Sequence, residues 1–247
     1  MTNICKFVAL KKYIPSGMPQ NTDFEIKSKE ISIDNEKNIL ISNLWISVDP
    51  YMRARMTERK NYKPPFELGK EMEGYAIGKV ISSNEINFNE GDLVFSNYGM
   101  RDKFVSNAKN LKKINPINIP IQSYLGPLGM TGHTAYMGLF KHGNLKPGQT
   151  VLVSSAGGSV GSTVCQIAKN LGCKVYASTG SDEKVKWLKD ELNVDYAFNY
   201  KKVDNLVSHF KDICPDGFDL YFDNVGGEFL ESAIFQMKNF GNIVICG

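Results

Sequence analysis

The residues best placed to do chemistry lie in a glycine-rich turn within Thr150 to Leu171. The apolar run Val151-Leu152-Val153 predicts a buried strand before the turn, and the pattern after it predicts a helix. This order is typical of the first βαβ unit of a dinucleotide-binding domain, whose helix N-terminus faces a pyrophosphate. Gly158 and Gly161 occupy the second and third glycine positions of that fingerprint, and Ala156 the first. The turn predicts a nucleotide site. The alternative is that its glycines only allow the tight connection between strand and helix and bind nothing.

The next predicted strand, Lys174 to Ser178, bears on which nucleotide is bound. An NAD site normally has an acidic residue near the end of this strand, which accepts a hydrogen bond from the ribose 2′-hydroxyl. Here the strand runs into Thr179-Gly180-Ser181, with Lys184 just beyond, so a 2′-phosphate and NADP are favoured. The alternative is that Lys184 is a solvated helix lysine. We interpret Asp182-Glu183 as first-turn acids behind an N-cap at Ser181.

Composition sets the class of protein. The chain has 247 residues, 42% of them hydrophobic, which suits one large or two ordinary globular domains. Its net charge of +3 comes from 29 basic and 26 acidic side chains that are interspersed along the chain. Without a long basic block, a nucleic-acid partner is not predicted.

Cysteine usage and hydropathy bear on the compartment. The five cysteines are odd in number and contain no C-x-x-C pair, so neither a disulfide framework nor a zinc cluster is indicated. No apolar run approaches the roughly 20 residues that span a bilayer, and the first residues lack a signal-type core. We expect a cytoplasmic protein with no membrane partner.

The two halves of the chain have different patterns. Short strands separated by turn residues indicate a β-barrel or sandwich in the first half. A connection containing a helix follows, within Pro127 to Gly143. The predicted strands of the first half are Lys6–Leu10, Phe24–Ser28, Asn38–Ser47, Tyr75–Ser82, Asp92–Asn97, Asp102–Ser106 and Leu111–Ile114.

After the opening βαβ unit, helices and strands continue to alternate, which predicts a doubly wound parallel sheet of five strands. A complete dinucleotide-binding domain continues into a further strand, so we expect the sheet to be incomplete at its C-terminal end. The predicted elements are helix Glu183–Leu192, strand Tyr196–Asn199, helix Asn205–Lys211, strand Asp219–Phe222, helix Glu228–Met237 and strand Asn242–Cys246.

A β-rich half followed by a Rossmann-like half resembles the medium-chain dehydrogenase/reductase superfamily. Several motifs in order resemble one branch, the zinc-independent NADPH-dependent alkenal double-bond reductases and the related prostaglandin reductases (leukotriene B4 12-hydroxydehydrogenases). These motifs are Val48–Arg53, Leu128–Tyr136, Gly180–Val185, Phe198–Lys201 and Tyr221–Gly227. The resemblance implies a GroES-like β-barrel over 1–122 and an NADP-binding Rossmann-like domain over 123–247, an α/β protein overall.

The activity that the resemblance implies is reduction of the carbon–carbon double bond of an α,β-unsaturated aldehyde or ketone. NADPH would deliver hydride to the β-carbon. The resulting enolate needs a hydrogen-bond donor at its oxygen, which the cofactor ribose and a tyrosine supply in the family. Family members are commonly dimers, so a homodimer is allowed.

The resemblance also assigns residues. It places Tyr51 at the substrate pocket, as the catalytic residue, and Met130 and Thr134 along the cofactor cleft. Gly158 and Gly161 would face the pyrophosphate, Lys184 and Tyr200 the 2′-phosphate, and Asn224 the nicotinamide side. The other positions expected to bind cofactor are Ala156, Ser159, Val160, Thr179, Gly180 and Cys246.

Each of these roles has an alternative. Tyr51 and Tyr200 could be half-buried packing aromatics whose hydroxyls merely find a partner. Asn224 could be a turn residue, since Asn-Val-Gly-Gly is typical of turns. We interpret His133 as structural rather than catalytic, because no nucleophile motif accompanies it.

Zinc alcohol dehydrogenases of this superfamily hold their metal with Cys and His. The corresponding segment here, Leu68–Gly74, has Lys70 where a ligand histidine is expected, and the four-cysteine lobe is absent. No metal is predicted.

In the family, the chain continues past the equivalent of Gly247 into a loop that contacts cofactor and carries the assisting tyrosine. This leaves three hypotheses for the chain as written. The first is an NADPH-dependent enal or enone reductase, the second an NADPH quinone reductase, and the third a catalytically impaired NADP-binding fragment.

Overall fold

The structure is a computed structural model that describes residues 3–34, 38–59 and 61–247. Contacts divide the chain into two compact units, Met1–Leu125 and Gly126–Gly247. None of the described helices has the length and apolarity needed to cross a bilayer.

The first unit is built from antiparallel strands. Strands β1 (Asn3–Leu10) and β2 (Phe24–Ile31) pair in a separate hairpin. The larger sheet contains β3 (Ile39–Ile46), β4 (Ala76–Ser83), β5 (Leu93–Ser96), β6 (Lys103–Ser106) and β7 (Lys112–Ile114), in the order β6-β3-β4-β5-β7. Alternate residues of β3, Ile39 and Ile41, pack with Val80, Val94 and Phe104 in one core. All strands predicted in this half are present. The unit also contains helix α1, Tyr51–Arg55, and 3-10 turns at Asn21–Asp23, Ala108–Asn110 and Ile121–Leu125.

The second unit alternates strands and helices. Its elements are α2 Met130–Tyr136, which continues as a π-helical segment over Met137–His142, β8 Thr150–Val153, α3 Ser159–Asn170, β9 Lys174–Thr179, α4 Asp182–Asp190, β10 Tyr196–Asn199, a 3-10 turn Tyr200–Lys202, α5 Leu206–Ile213, β11 Phe218–Asp223, α6 Gly227–Ile234 and β12 Met237–Ile245. The five strands form one parallel sheet in the order β10-β9-β8-β11-β12, which confirms the predicted sheet.

Helices cover both faces of this sheet. Val151 and Val153 of β8 face a core with α2, α3 and α4. Leu152, between them, faces the opposite core with Phe210 of α5 and Phe229 of α6. A strand buried on both faces needs a continuous apolar run, which is why β8 is apolar without alternation.

The predicted end of the last helix was wrong. The spacing of Phe229, Ala233 and Met237 suits a helix that continues to Met237, but α6 ends at Ile234 and Met237 begins β12 instead. Met237 is the partner of Phe218, and the register then shifts so that Leu220 pairs with Asn242. The early start follows from strand pairing with β11, a long-range contact that helical spacing does not report.

Candidate functional site

The glycine-rich turn connects β8 to α3, whose N-cap is Gly158. Ser155 takes a positive φ of 48° there. A Cβ added at Gly161 would lie 2.4 Å from Ser155 O and 2.7 Å from Ala156 Cα, so glycine at 161 lets α3 lie against the turn. Ala156 is fully buried. Its methyl group therefore packs in the core beneath the turn instead of facing outward.

Two further glycines form a shallow cradle beside the turn. A Cβ added at Gly157 would lie 2.9 Å from both Lys184 Cδ and Thr179 Oγ1. A Cβ added at Gly180 would lie 3.4 Å from the Tyr200 hydroxyl and 3.3 Å from Lys201 Cε. The bare backbone of these two glycines thus lies close to two lysine side chains and to the Tyr200 hydroxyl. We call the five residues Gly157, Gly180, Lys184, Tyr200 and Lys201 the glycine cradle.

Lysines around the glycine cradle fall into two groups. Lys186 pairs with Asp190, and Lys202 pairs with Asp182 at 2.5 Å. Lys184 and Lys201 form no ion pair with any described residue. Asp182, the acid next to the end of β9, also accepts from Asn199 Nδ2 at 2.9 Å. The two unpaired lysines leave net positive charge at the glycine cradle.

The first turn of α4 agrees with the sequence interpretation. Ser181 Oγ accepts from the backbone N–H of Lys184 at 3.3 Å, which makes Ser181 the N-cap. Asp182 and Glu183 lie in that first turn.

The ends of β8 and β11 are joined by a buried polar network. Asn224, expected at the nicotinamide side, donates from its Nδ2 to the Ser154 carbonyl at 2.8 Å. The Ser154 hydroxyl accepts from the Asn224 backbone N–H at 2.8 Å and lies 3.3 Å from Asp223 Oδ1. Burial and the hydrogen bond to Asp223 raise the pKa of Tyr221, which belongs to the same network. Asn224 is therefore held rigidly at this edge of the sheet.

A groove of about 560 Å³ runs between β12 and the helical segment that begins with α2. Thr134 and Cys246 both line this groove, together with His133 and His142. Met130 is the first residue of α2 and does not line the groove. Its carbonyl accepts a hydrogen bond from Thr134 Oγ1 at 2.9 Å.

Two further residues that are predicted to bind cofactor, Ser159 and Val160, begin α3. Ser159 Oγ donates to Thr131 Oγ1 at 3.1 Å, and Val160 packs on the core of the sheet. All predicted cofactor residues thus belong to the second unit.

Tyr51 lies in the first unit, as the first residue of α1. Its ring meets that of Tyr75 edge to face, and Lys63 Nζ lies 4.6 Å from the Tyr51 ring centre. Its hydroxyl is buried without a hydrogen-bond partner in the described part of the chain. Burial, with the nearby Asp49 carboxylate, raises the pKa of Tyr51 to about 12. The hydroxyl therefore stays protonated and has its hydrogen available to donate.

The segment that corresponds to a zinc site has unsuitable chemistry. Lys70 supplies an ammonium, and Glu71 pairs with Lys29 and lies 3.9 Å from Arg101. Burial would raise the pKa of Glu71, but the hydrogen bond and charge of Lys29, with that of Arg101, outweigh it and lower the pKa. Within residues 3–34, 38–59 and 61–247, no group of three His, Cys, Asp or Glu side chains could hold a metal ion. These residues do not fit zinc.

Sequence reasoning missed three residues that the structure brings to the site. Lys201 belongs to the Phe198–Lys201 motif and Asp223 to the Tyr221–Gly227 motif, but neither was singled out. Ser154 follows the apolar run of β8 directly. For Lys201, a signal was available, because it is adjacent to Tyr200. The contact of Ser154 with Asp223 joins residues 69 positions apart, and spacing gives no indication of it.

Two family models match the chain. Residues 6–114 match the model described as the N-terminal domain of oxidoreductase, and residues 159–247 match the model described as zinc-binding dehydrogenase.

Individual relatives extend the match over nearly the whole chain. The 2-alkenal reductase (NADP(+)-dependent) of Nicotiana tabacum is 41% identical, and the match covers 98% of this chain and 72% of the relative. Prostaglandin reductase 1 of Bos taurus is 44% identical, over 96% of this chain and 70% of the relative. The crystal structure of CurA from Vibrio vulnificus in complex with NADPH is 32% identical with a TM-score of 0.88, covering 96% of this chain and 70% of that one.

Proposed function

We propose, because this chain belongs to the NADP-dependent oxidoreductase family of 2-alkenal reductase and prostaglandin reductase 1, that it reduces α,β-unsaturated aldehydes and ketones at the carbon–carbon double bond. The observation that carries the proposal is identity of 41% and 44% to those two enzymes across at least 96% of the chain. The first unit would supply the substrate pocket and the second the cofactor site, with the division proposed at 122/123.

NADPH fits the second unit. Gly157 and Gly180 let the side chains of Lys184, Tyr200 and Lys201 lie close against bare backbone. The two unpaired lysines of the glycine cradle suit a dianionic 2′-phosphate. We assign Lys184, Tyr200 and Lys201 to that phosphate, with Thr179 beside them. Gly158, Ser159, Val160 and Gly161 would present the α3 N-terminus to the pyrophosphate. Met130, Thr134, Asn224 and Cys246 would border the nicotinamide half.

When bound, NADPH supplies the hydride that the β-carbon of the substrate accepts. Negative charge then develops on the substrate carbonyl oxygen, and a donor placed there lowers the barrier. The α-carbon of the resulting enolate would take a proton from solvent to give the saturated product. We assign this role to the Tyr51 hydroxyl, which is buried, protonated and without another described partner. The chain's remaining contribution is to hold nicotinamide and alkene in a reactive orientation.

We propose that this reduction is independent of zinc. Lys70 and the ion-paired Glu71 offer no pair of soft or imidazole ligands in the segment where superfamily dehydrogenases bind the metal. The carbonyl would be polarised by hydrogen bonding instead.

We also propose a cytoplasmic location and a homodimer. The five cysteines are all free, which suits a reducing compartment. Dimerisation is carried over from the family and is tested by light scattering of the purified chain.

The test is product analysis with two substrates. The purified chain is given NADPH and either a medium-chain 2-alkenal or a simple benzoquinone, and products are identified by mass spectrometry. The proposal predicts the saturated aldehyde at a rate above that of quinone reduction. Faster quinone turnover without saturated aldehyde would indicate a quinone reductase. NADPH binding without turnover of either would indicate the impaired fragment.

A further inference from the structure

Asp223 is a fully buried carboxylate at the end of β11 that forms no ion pair with any described cation. Its Oδ1 accepts hydrogen bonds from the Tyr221 hydroxyl at 2.6 Å, Val225 N at 3.0 Å and Gly226 N at 2.9 Å, and it lies 3.3 Å from Ser154 Oγ. Its Oδ2 is buried with no partner among the described residues. Burying a carboxylate is costly even when it is hydrogen-bonded.

Asp223 and the adjacent Asn224 connect the ends of β8, β11 and β12. Asn224 is bonded to Ser154 of the β8 end through both its backbone N–H and its side-chain amide. The Asp223 carbonyl accepts from Cys246 N at 2.8 Å and Gly247 N at 3.2 Å, just after β12. The turn over 224–227 therefore has its position fixed from both sides.

The location of this network in the sheet points to a ligand. From β8 the chain passes to β9 and β10 on one side, and then crosses to β11 on the other side of β8. In open α/β sheets, ligands bind at the carboxyl ends of the strands, at the point where the strand order reverses. Ser154 and Asp223 lie at the carboxyl ends of the two strands that flank this point.

We propose that Asp223 is a positioning residue that fixes the turn over 224–227 against the nicotinamide half of the cofactor. This inference rests on the proposed function. Tyr221 and Ser154 hold the carboxylate, and the carboxylate holds the backbone of Val225 and Gly226. Asp223 itself touches neither cofactor nor substrate.

The test compares two ligands that share the 2′-phosphate end. NADPH contains nicotinamide, whereas 2′,5′-ADP does not. Their dissociation constants are measured by titration calorimetry for the native chain and for Asp223→Asn, which keeps the side-chain shape. We expect Asp223→Asn to weaken NADPH binding about tenfold, because the neutral amide holds the backbone of the turn over 224–227 less firmly than the carboxylate does. Binding of 2′,5′-ADP should be unchanged.

A matched control lies on the same strand. Asp219 is also a hydrogen-bonded carboxylate of β11, accepting from Thr150 N at 2.8 Å and Lys238 Nζ at 2.9 Å, but near the opposite end. Asp219→Asn should leave the ratio of the two dissociation constants unchanged. If Asp223→Asn does not fold, Tyr221→Phe removes one hydrogen bond to the same carboxylate and should shift the ratio in the same direction.

Three results separate the hypotheses. Selective loss of NADPH affinity supports the positioning role. Equal loss of both ligands, or no loss of either, overturns that role while the proposed function stands. Failure of the native chain to bind either ligand overturns the proposed function and the positioning role with it.

Discussion

Lys184 lies directly over Gly157, so that a Cβ at position 157 would be 2.9 Å from Lys184 Cδ. The lysine stem thus covers bare backbone next to the glycine-rich turn. Since no described carboxylate neutralises Lys184, its charge is available to an anion. This relationship supports the proposal that Lys184 binds the 2′-phosphate of NADPH.

Removing either unpaired lysine should weaken the binding of NADPH and leave the binding of NADH unchanged. Lys184→Gln and Lys201→Gln should each raise the dissociation constant for NADPH by about tenfold or more, the effect of a charge-assisted hydrogen bond, and leave that for NADH unchanged. Lys186→Gln and Lys202→Gln are matched controls, since these lysines pair with Asp190 and Asp182. An equal loss of affinity for NADPH and NADH would contradict the assignment of Lys184 and Lys201 to the 2′-phosphate.

Gly180→Ala should weaken phosphate binding without unfolding the protein, because the added methyl group would displace two side chains that we assign to the phosphate. Gly180→Ala places a methyl group 3.3 to 3.4 Å from Lys201 and Tyr200, a tight contact with side chains that can move. We expect weaker binding of 2′,5′-ADP with little change in melting temperature, measured by calorimetry and thermal unfolding. Unchanged binding of 2′,5′-ADP would show that the phosphate lies elsewhere.

Tyr51→Phe should lower kcat for a 2-alkenal at least about tenfold, because the developing oxyanion loses a donor. NADPH affinity should be retained. Because the pKa of Tyr51 is raised to about 12, kcat should show no loss from Tyr51 ionisation between pH 7 and pH 10. Tyr62→Phe is the control, since Tyr62 is 75% exposed. Identical rates for the two variants would favour a packing role for Tyr51.

The buried Tyr221 predicts a loss of stability at alkaline pH. Burial raises its pKa above the ordinary value of 10.0, so the folded state keeps a proton that the unfolded chain releases. Its contribution to the free energy of unfolding is complete below pH 10 and declines as pH rises above that value. Denaturant titrations at several pH values should show this decline, and Tyr221→Phe should make it shallower. A Tyr221→Phe variant with the same pH dependence as the native chain would contradict the prediction.

Local patterns predicted the elements that present the site. The apolar run of β8 and the glycines after it predicted the first βαβ unit, and Ser181 was correctly identified as the N-cap of α4. These features are encoded by neighbouring residues, so the sequence reports them directly. The missing acid after β9, together with Lys184, predicted NADP, which the isolated glycine turn does not specify.

Long-range contacts account for what the sequence did not reveal. The end of α6 was misplaced because Met237 pairs with Phe218 across the sheet. The network of Ser154, Tyr221 and Asp223 joins residues close to 70 positions apart, for which no periodicity gives a signal. The side chain of Ala156 is fully buried, a consequence of how the turn folds onto the sheet. Its assignment to the cofactor stays a prediction.

Transfer of deuterium from NADPH would show whether the chain reduces the carbon–carbon double bond. The purified chain is given a 2-alkenal with NADPH carrying deuterium at nicotinamide C4, each face labelled in turn, and the product is examined by NMR. If NADPH delivers hydride to the β-carbon, one of the two labelled forms will place a single deuterium on the β-carbon of a saturated aldehyde. Deuterium on the carbonyl carbon of an alcohol, or no transfer from either form, would contradict this delivery of hydride.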